Sequence, residues 1–485
     1  MSIHICETNG MSESGLTAMT AFEGGARPAV LFAPCALLPD GWAQNVRVSL
    51  ADNGTISAVD TDVAPRIGDI ELRDRVLLPA PSNLHSHSFQ RAMVGRTQLR
   101  GPGKDSFWSW RQLMYRFLDA LTPDMVEAIT AQAYVEMCEA GYAAVAEFHY
   151  LHHAAGGVAY DNPAETSVAA MAAARTAGIG LTHLPVVYAA AGADGRAPEG
   201  GQLRFACDLG RYEALWAAAN RALVAHGRAD WGIGIAPHSL RAVPPALLRD
   251  VLSAHASGPI HVHIAEQTAE VAEIEAAWGA RPVEWLLDQH DVDARWCLVH
   301  ATHLTEAECT GLAHSGATAG LCPITEADLG DGVFPGEAFL DAGGGFGVGT
   351  DSNVHITLTG ELRALEYSQR LVARRRNVLA APAGSTARRL FEHALAGGAQ
   401  ALARVSGAIA PGHLADLLTL DTSHVQLHGF AGDALLDAWL FSTTEPVVDA
   451  VWSAGQRVVV DGEHVHRAEV SRRFKSVMDT LVQDL

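Results

Sequence analysis

The segment His85-Ser86-His87 sets two imidazoles two residues apart. In an extended strand, residues i and i+2 share a face, so both rings can address one point. Alone, such a pair is more often two unrelated histidines. Two further residues give it weight: His263 closes the apolar run PIHVHI (259–264), and Asp351 follows GFGVGT (345–350). Three imidazoles and a carboxylate can hold one divalent ion and leave room for a water, and the chemistry that follows is metal-assisted hydrolysis. Zn2+ is the expected ion, with Fe2+ and Mn2+ as alternatives. Glu266 lies just beyond His263 in His263-Ile264-Ala265-Glu266-Gln267. It can take a proton from the water and give it to a leaving nitrogen, and Asp351 can share that work. The competing reading is a surface acid at the start of the next helix. His300 ends the run WCLVH and could orient the nucleophile or steady a tetrahedral intermediate. His261 reads as structural, and His303 as lying farther from the centre or facing solvent.

Residues so far apart in the chain need a scaffold that gathers them. Eight short β-rich runs recur, at 76–84, 143–148, 180–188, 232–237, 259–264, 296–300, 317–322 and 345–350. Amphipathic stretches lie between them, at 122–140, 163–177, 244–257, 268–279 and 305–314. Alternating strand and helix predicts an α/β fold with a parallel sheet, and eight such units predict a TIM-like (β/α)8 barrel. The runs end in, or are followed by, His85/His87, His149/Tyr150, Tyr188, His238, His263/Glu266, His300, Thr325/Glu326 and Asp351. Catalytic groups of this fold sit at the C-terminal strand ends, so fold and site support each other.

The flanks hold short alternating strands with turns at Asn53-Gly54, Ala454-Gly455 and Asp461-Gly462. They predict a small β-sandwich built from both termini, 28–75 plus 406–470. The barrel is expected over 76–405, with 386–405 as its last helix. A terminal helix is expected over 471–485. Residues 1–27 carry no secretory pattern and read as a tail that can be disordered.

The chain has 485 residues and a formal net charge of −21, which disfavours nucleic acid or an anionic membrane as partner. No apolar run approaches a membrane span. Seven scattered cysteines without metal-ribbon spacing fit reduced thiols in a cytoplasm. Lysine occurs only at Lys104 and Lys475, neither on a readable strand end, so a lysine-bridged pair of metals is disfavoured and one ion is expected. Arg111, Arg241, Tyr150, Gln90 and Arg91 could dress the pocket, since guanidinium groups bind carboxylates at two points. Solvated or structural ion pairs are the alternative for each arginine.

The stretches NLHSHSFQRAMVG (83–95), EFHYLHH (147–153), APHSLRAV (236–243), HVHIAEQ (261–267), LVHATHL (298–304), LCPITEADLGDGVFP (321–335) and GTDSNVHITLTGELR (349–363) resemble the amidohydrolase superfamily. Within it they are most similar to the formimidoylglutamate deiminases. The resemblance covers about residues 28–470. It implies metal ligation by His85, His87, His263 and Asp351, and catalytic roles for Glu266 and His300. It also implies substrate binding by Gln90, Arg111, Tyr150, His238 and Arg241, mainly through two carboxylates. The reaction implied is hydrolysis of N-formimino-L-glutamate, a small dicarboxylate amidine of histidine degradation, to N-formyl-L-glutamate and ammonia, by a cytoplasmic homodimer. Two other readings stay open. One is deamination of an aromatic ring amine such as a purine or pterin, and the other is a metal-free scaffold.

Overall fold

The computed structural model describes residues 29–98, 107–225 and 228–484. The tail expected over 1–27 lies outside them, as do Cys6 and Lys104.

Eight parallel strands form the barrel. They are Ser82–Ser86, Ala144–His149, Gly180–Val187, the broken pair Gly232–Ile233 and Ala236–Pro237, Ile260–Ile264, Trp296–His300, Thr318–Leu321 and Gly345–Val348. Continuous parallel ladders join strands one to four and five to eight. Single bridges close the ring: Ile235 to Ile260, Ser239 to His263, and Ser86 to Asp351. The two closing seams therefore run through the candidate ligands. Nearly every strand residue is buried, because helices cover the outside and side chains fill the inside.

Local sequence sets the helix ends. Thr122 caps Pro123–Glu139 and Thr305 caps Glu306–Ser315, the latter with Glu308 in a reciprocal capping box. Gly178, Gly279 and Gly316 end their helices in the left-handed conformation.

The apolar run 76–84 is not one barrel strand. It divides at Ala80-Pro81: Arg75–Pro79 belongs to the terminal sheet, and only Ser82–Ser86 enters the barrel. Proline lacks the N–H that a continuous ladder would need. The terminal sheet has nine strands drawn from both ends of the chain. The ends meet where Arg75–Pro79 pairs antiparallel with Leu417–Asp421. Arg75 fastens the seam with ion pairs to Asp421 and Asp449, both 2.9 Å. At this seam both faces are mostly buried. Leu77, Leu417 and Trp452 share a core with Leu31 and Val48, while Val76, Leu78 and Leu418 join the core of the barrel.

The last helix, Arg467–Asp484, packs on Pro123–Glu139 and buries Leu481. No helix among the described residues is long and apolar enough to cross a membrane. The six described cysteines are unpaired.

Candidate metal-dependent active site

The ends of strands one, five and eight bring His85, His87, His263 and Asp351 to one point. His85 Nε2 lies 3.3 Å from His87 Nε2 and 3.1 Å from His263 Nε2. Asp351 Oδ1 lies 3.5 Å from His85 Nε2 and 3.4 Å from His87 Nε2. A tetrahedral zinc with ligands at about 2.0–2.1 Å places its donor atoms roughly 3.3–3.4 Å apart. The donor atoms of His85, His87 and His263 all lie within 4.8 Å of one another, and Asp351 approaches the first two at the spacing such an ion needs, while it also groups with His300 and Cys322.

Proton positions point the same way. His87 Nδ1 faces the Phe148 carbonyl and His263 Nδ1 the His238 carbonyl, both at 3.0 Å. A carbonyl can only accept, so each Nδ1 carries the hydrogen and each Nε2 turns a lone pair inward. Burial pushes His85 down to about 4 and His87 to about 3, so these rings are neutral at physiological pH. Burial would raise the Asp351 carboxyl, but the positive charge of His300 beside it favours the anion, and the group lies below the ordinary range. Neutral imidazoles with converging lone pairs and one anionic oxygen are a donor set for a cation.

The cage is braced from behind. His87 N donates to Asp351 O at 2.9 Å, and Asp351 N to His85 O at 3.0 Å. The buried Asn353 amide nitrogen reaches Ser86 Oγ, His87 O and Asp351 O at 3.2, 3.1 and 2.9 Å, and its oxygen accepts from Thr350 Oγ1 at 2.7 Å. Asn83 bridges to Thr350 from the other side. Buried Glu147 accepts from Ser88 N, Ser88 Oγ and Tyr134 Oη, fixing the turn that follows His87. Backbone strain concentrates here: Ala265, His300, Ala301, Asp351 and Asn353 all have positive φ, with His300 at 69°.

The acid–base groups stand beside the cage. His300 Nε2 is 3.8 Å from Glu266 Oε1 and 3.8 Å from Asp351 Oδ2, and its Nδ1 is 3.3 Å from Glu326 Oε1. Burial would lower His300, but Glu266, Glu326 and Asp351 around it hold it up at about 10. Burial pushes Glu266 up to about 7, against the pull of His300. Glu266 can therefore both take and release a proton near neutrality. Its backbone N–H is held by Glu270 at 3.1 Å. Asp331, raised by burial to about 9, accepts from Gln267, the neighbour of Glu266.

A small cavity of about 60 Å³ opens over this centre, and Gln90, Arg111, Tyr150, His238 and Arg241 all line it, with Trp110 and Met114. Gln90 donates to Tyr150 Oη at 2.8 Å, and His238 Nδ1 meets Ser239 Oγ at 3.0 Å. Arg111 donates to Tyr188 Oη at 2.8 Å. His261 bonds the Ala401 carbonyl at 2.8 Å, a structural contact, and half-buried His303 bonds the Asp331 carbonyl at 2.9 Å. Glu326 and Tyr188 stand at strand ends that the sequence marks, but their partners do not follow from it. Gln202, Glu270, Asp331 and Asn353 carry no periodic signal. Asp331 and Asn353 do fall inside the motif stretches 321–335 and 349–363.

Comparison with known proteins gives a matching picture. Residues 76–458 match the model of the amidohydrolase family, and residues 29–72 that of the formimidoylglutamate deiminase HutF, N-terminal domain. The chain is 46% identical to a formimidoylglutamate deiminase of Pseudomonas aeruginosa, over 93% of this chain and 99% of that one. A crystal structure of an amidohydrolase from Brucella melitensis superposes with a TM-score of 0.89 at 46% identity, covering 94% of this chain and all of the other (100%). A zinc-bound adenosine deaminase from Xanthomonas campestris shares the fold, with a TM-score of 0.78 at 22% identity over 94% and 99% of the two chains.

Proposed function

The chain belongs to the amidohydrolase family, and within it we propose that it hydrolyses N-formimino-L-glutamate to N-formyl-L-glutamate and ammonia, a step of histidine degradation. One observation carries this reading: a single cavity is lined by His87, His263 and Asp351 of the candidate cage, by Glu266 and by two guanidinium groups, Arg111 and Arg241. The likeness to the Pseudomonas enzyme over almost the whole of both chains supports it.

His85, His87, His263 and Asp351 would hold one divalent ion, which we take to be zinc. When bound, it supplies a Lewis acid that makes water a nucleophile near neutral pH. Glu266 accepts the proton of the attacking water as the new C–O bond forms at the formimino carbon. Protonated His300, backed by Glu326, faces both Glu266 and Asp351 and steadies the charge that develops in the tetrahedral intermediate. Glu266 then returns the proton to the terminal nitrogen; as the C–N bond breaks and ammonia leaves, the remaining hydroxyl proton passes to Asp351 and on to solvent, and the formyl C=O forms. Arg111 and Arg241 bind the two carboxylates, while Gln90, Tyr150 and His238 complete the wall. A homodimer in the cytoplasm is part of the same proposal and rests on the resemblance.

The test is ammonia release by the purified, metal-loaded protein from N-formimino-L-glutamate, set beside simpler amidines, guanine, adenosine and a pterin. Turnover confined to the dicarboxylate amidine is expected. Release from a ring amine, with none from formiminoglutamate, would move the assignment to ring deamination.

A further inference from the structure

Tyr188 holds one edge of Arg111. The Arg111 Nη2 donates to Tyr188 Oη at 2.8 Å, and the Gln202 side-chain amide donates to the same oxygen at 2.8 Å. A phenol oxygen offers two acceptor lone pairs, and these two donors fill them. Gln202 is itself fixed, since its Oε1 accepts the Glu199 backbone N–H at 3.1 Å in a reciprocal cap of the turn Gly200–Arg204. Tyr188 follows the third barrel strand and is 1% exposed. Its ring stands edge-on to His238, with centroids 4.9 Å apart and planes at 80°. The Tyr115 ring lies 5.3 Å from the Arg111 guanidinium carbon.

We propose that Tyr188, held by Gln202, is a positioning residue that sets carboxylate recognition by fixing one edge of the Arg111 guanidinium and one side of the His238 ring. The inference rests on the dicarboxylate reading above. Guanidinium carries its N–H donors in a rigid planar fork, so anchoring Nη2 fixes the plane in which Arg111 meets a ligand. Because the anchor is a neutral phenol, it orients the charge without cancelling it. Ordering the long side chain before the substrate arrives also removes part of the entropy cost of binding.

The experiment compares metal-loaded wild type with Tyr188→Phe, measuring kcat and KM for N-formimino-L-glutamate and the Ki of glutarate. Loss of one hydrogen bond to a charged group predicts that KM and Ki rise together, roughly tenfold or more, with kcat within about twofold and metal content unchanged. Gln202→Leu should move both in the same direction by less, and it serves as the test if the phenylalanine variant does not fold. Unchanged KM and Ki overturn the inference, as does a fall in kcat at constant KM, which would put Tyr188 in the chemistry. If wild type releases no ammonia from formiminoglutamate, the functional reading fails by itself. Calorimetric binding of glutarate to the two proteins then still decides whether Tyr188 shapes a dicarboxylate site.

Discussion

Asn353 offers the sharpest test of how the metal cage is held. Its buried amide nitrogen has two hydrogens for three acceptors, Ser86 Oγ, His87 O and Asp351 O, and its oxygen takes the Thr350 hydroxyl. Asn353→Ala therefore removes about three hydrogen bonds, at roughly 0.5–1.5 kcal/mol each, and strands acceptors that water cannot reach. A further cost of about 1 kcal/mol comes from placing alanine at φ 56°. Together these give a loss of about 4 kcal/mol. Asn353→Gly should recover the backbone part, about 1 kcal/mol, and none of the rest. The amide ties the first strand end to the eighth, so its loss lets the His85/His87 pair drift from Asp351. Metal affinity should fall about 10–100-fold, the usual effect of removing a group that orients ligands. Denaturation of both variants measures the first quantity, and chelator competition followed by metal analysis measures the second. A variant that keeps wild-type metal affinity within about twofold would show that the strand pairing alone sets the cage.

Three further outcomes follow from the same geometry. Glu266→Gln should keep its metal and lose about 10²–10⁴-fold in kcat, measured by ammonia release; wild-type turnover would remove Glu266 from the proton path. Glu266 works as a base only when deprotonated, so kcat/KM should fall as pH drops, with the acid limb between the ordinary glutamate value of 4.5 and the buried value of about 7; a cation in the cage pulls it toward the lower end, and a profile flat from pH 8 to pH 4.5 would contradict the assignment. Removing the metal with a chelator should abolish turnover, and re-addition of Zn2+, Fe2+ or Mn2+ should restore it in an order that identifies the working ion; full activity in protein shown by elemental analysis to hold no metal would end the metal reading.

The barrel was legible because two periodicities coincide, apolar strand runs recurring between helical stretches and polar groups recurring at one end of the runs. That pattern brought out His85, His87, His263, His300 and Asp351 together, since a strand end dictates where its next side chain points. The run 76–84 misled because two strands of different sheets adjoin and both are buried over this run, so burial continues through the boundary and only the prolines Pro79 and Pro81 mark it. The residues that brace the site were illegible for a different reason. Glu326 meets His300, Tyr188 meets Arg111 and Asn353 meets Ser86 across the fold, and no spacing along the chain encodes contacts of that kind.

The charges of the cavity bear on which substrate it can take. Glu266, Asp331, Glu326 and Asp351 all act on His300 or on one another at the reacting end. Arg111 and Arg241 supply positive charge to the same cavity, and the Arg241 charge already reaches buried Glu270 and Glu266. A formimino group is an amidinium-like cation whose terminal nitrogen Glu266 could pair with, while the glutamate carboxylates would suit the guanidinium groups. A neutral purine offers neither complement: entering, it would strip water from both guanidinium groups without bringing an anion, and uncompensated desolvation of a charge costs several kcal/mol. The protein's overall charge of −21 does not weigh against an anionic substrate, because exposed acids beyond about 8 Å are largely screened at physiological salt while two guanidinium groups in the wall act at contact distance. On the proposed function, selectivity for a dicarboxylate amidine would come from charge placement within one cavity, beside a metal site that many hydrolases of this fold could share.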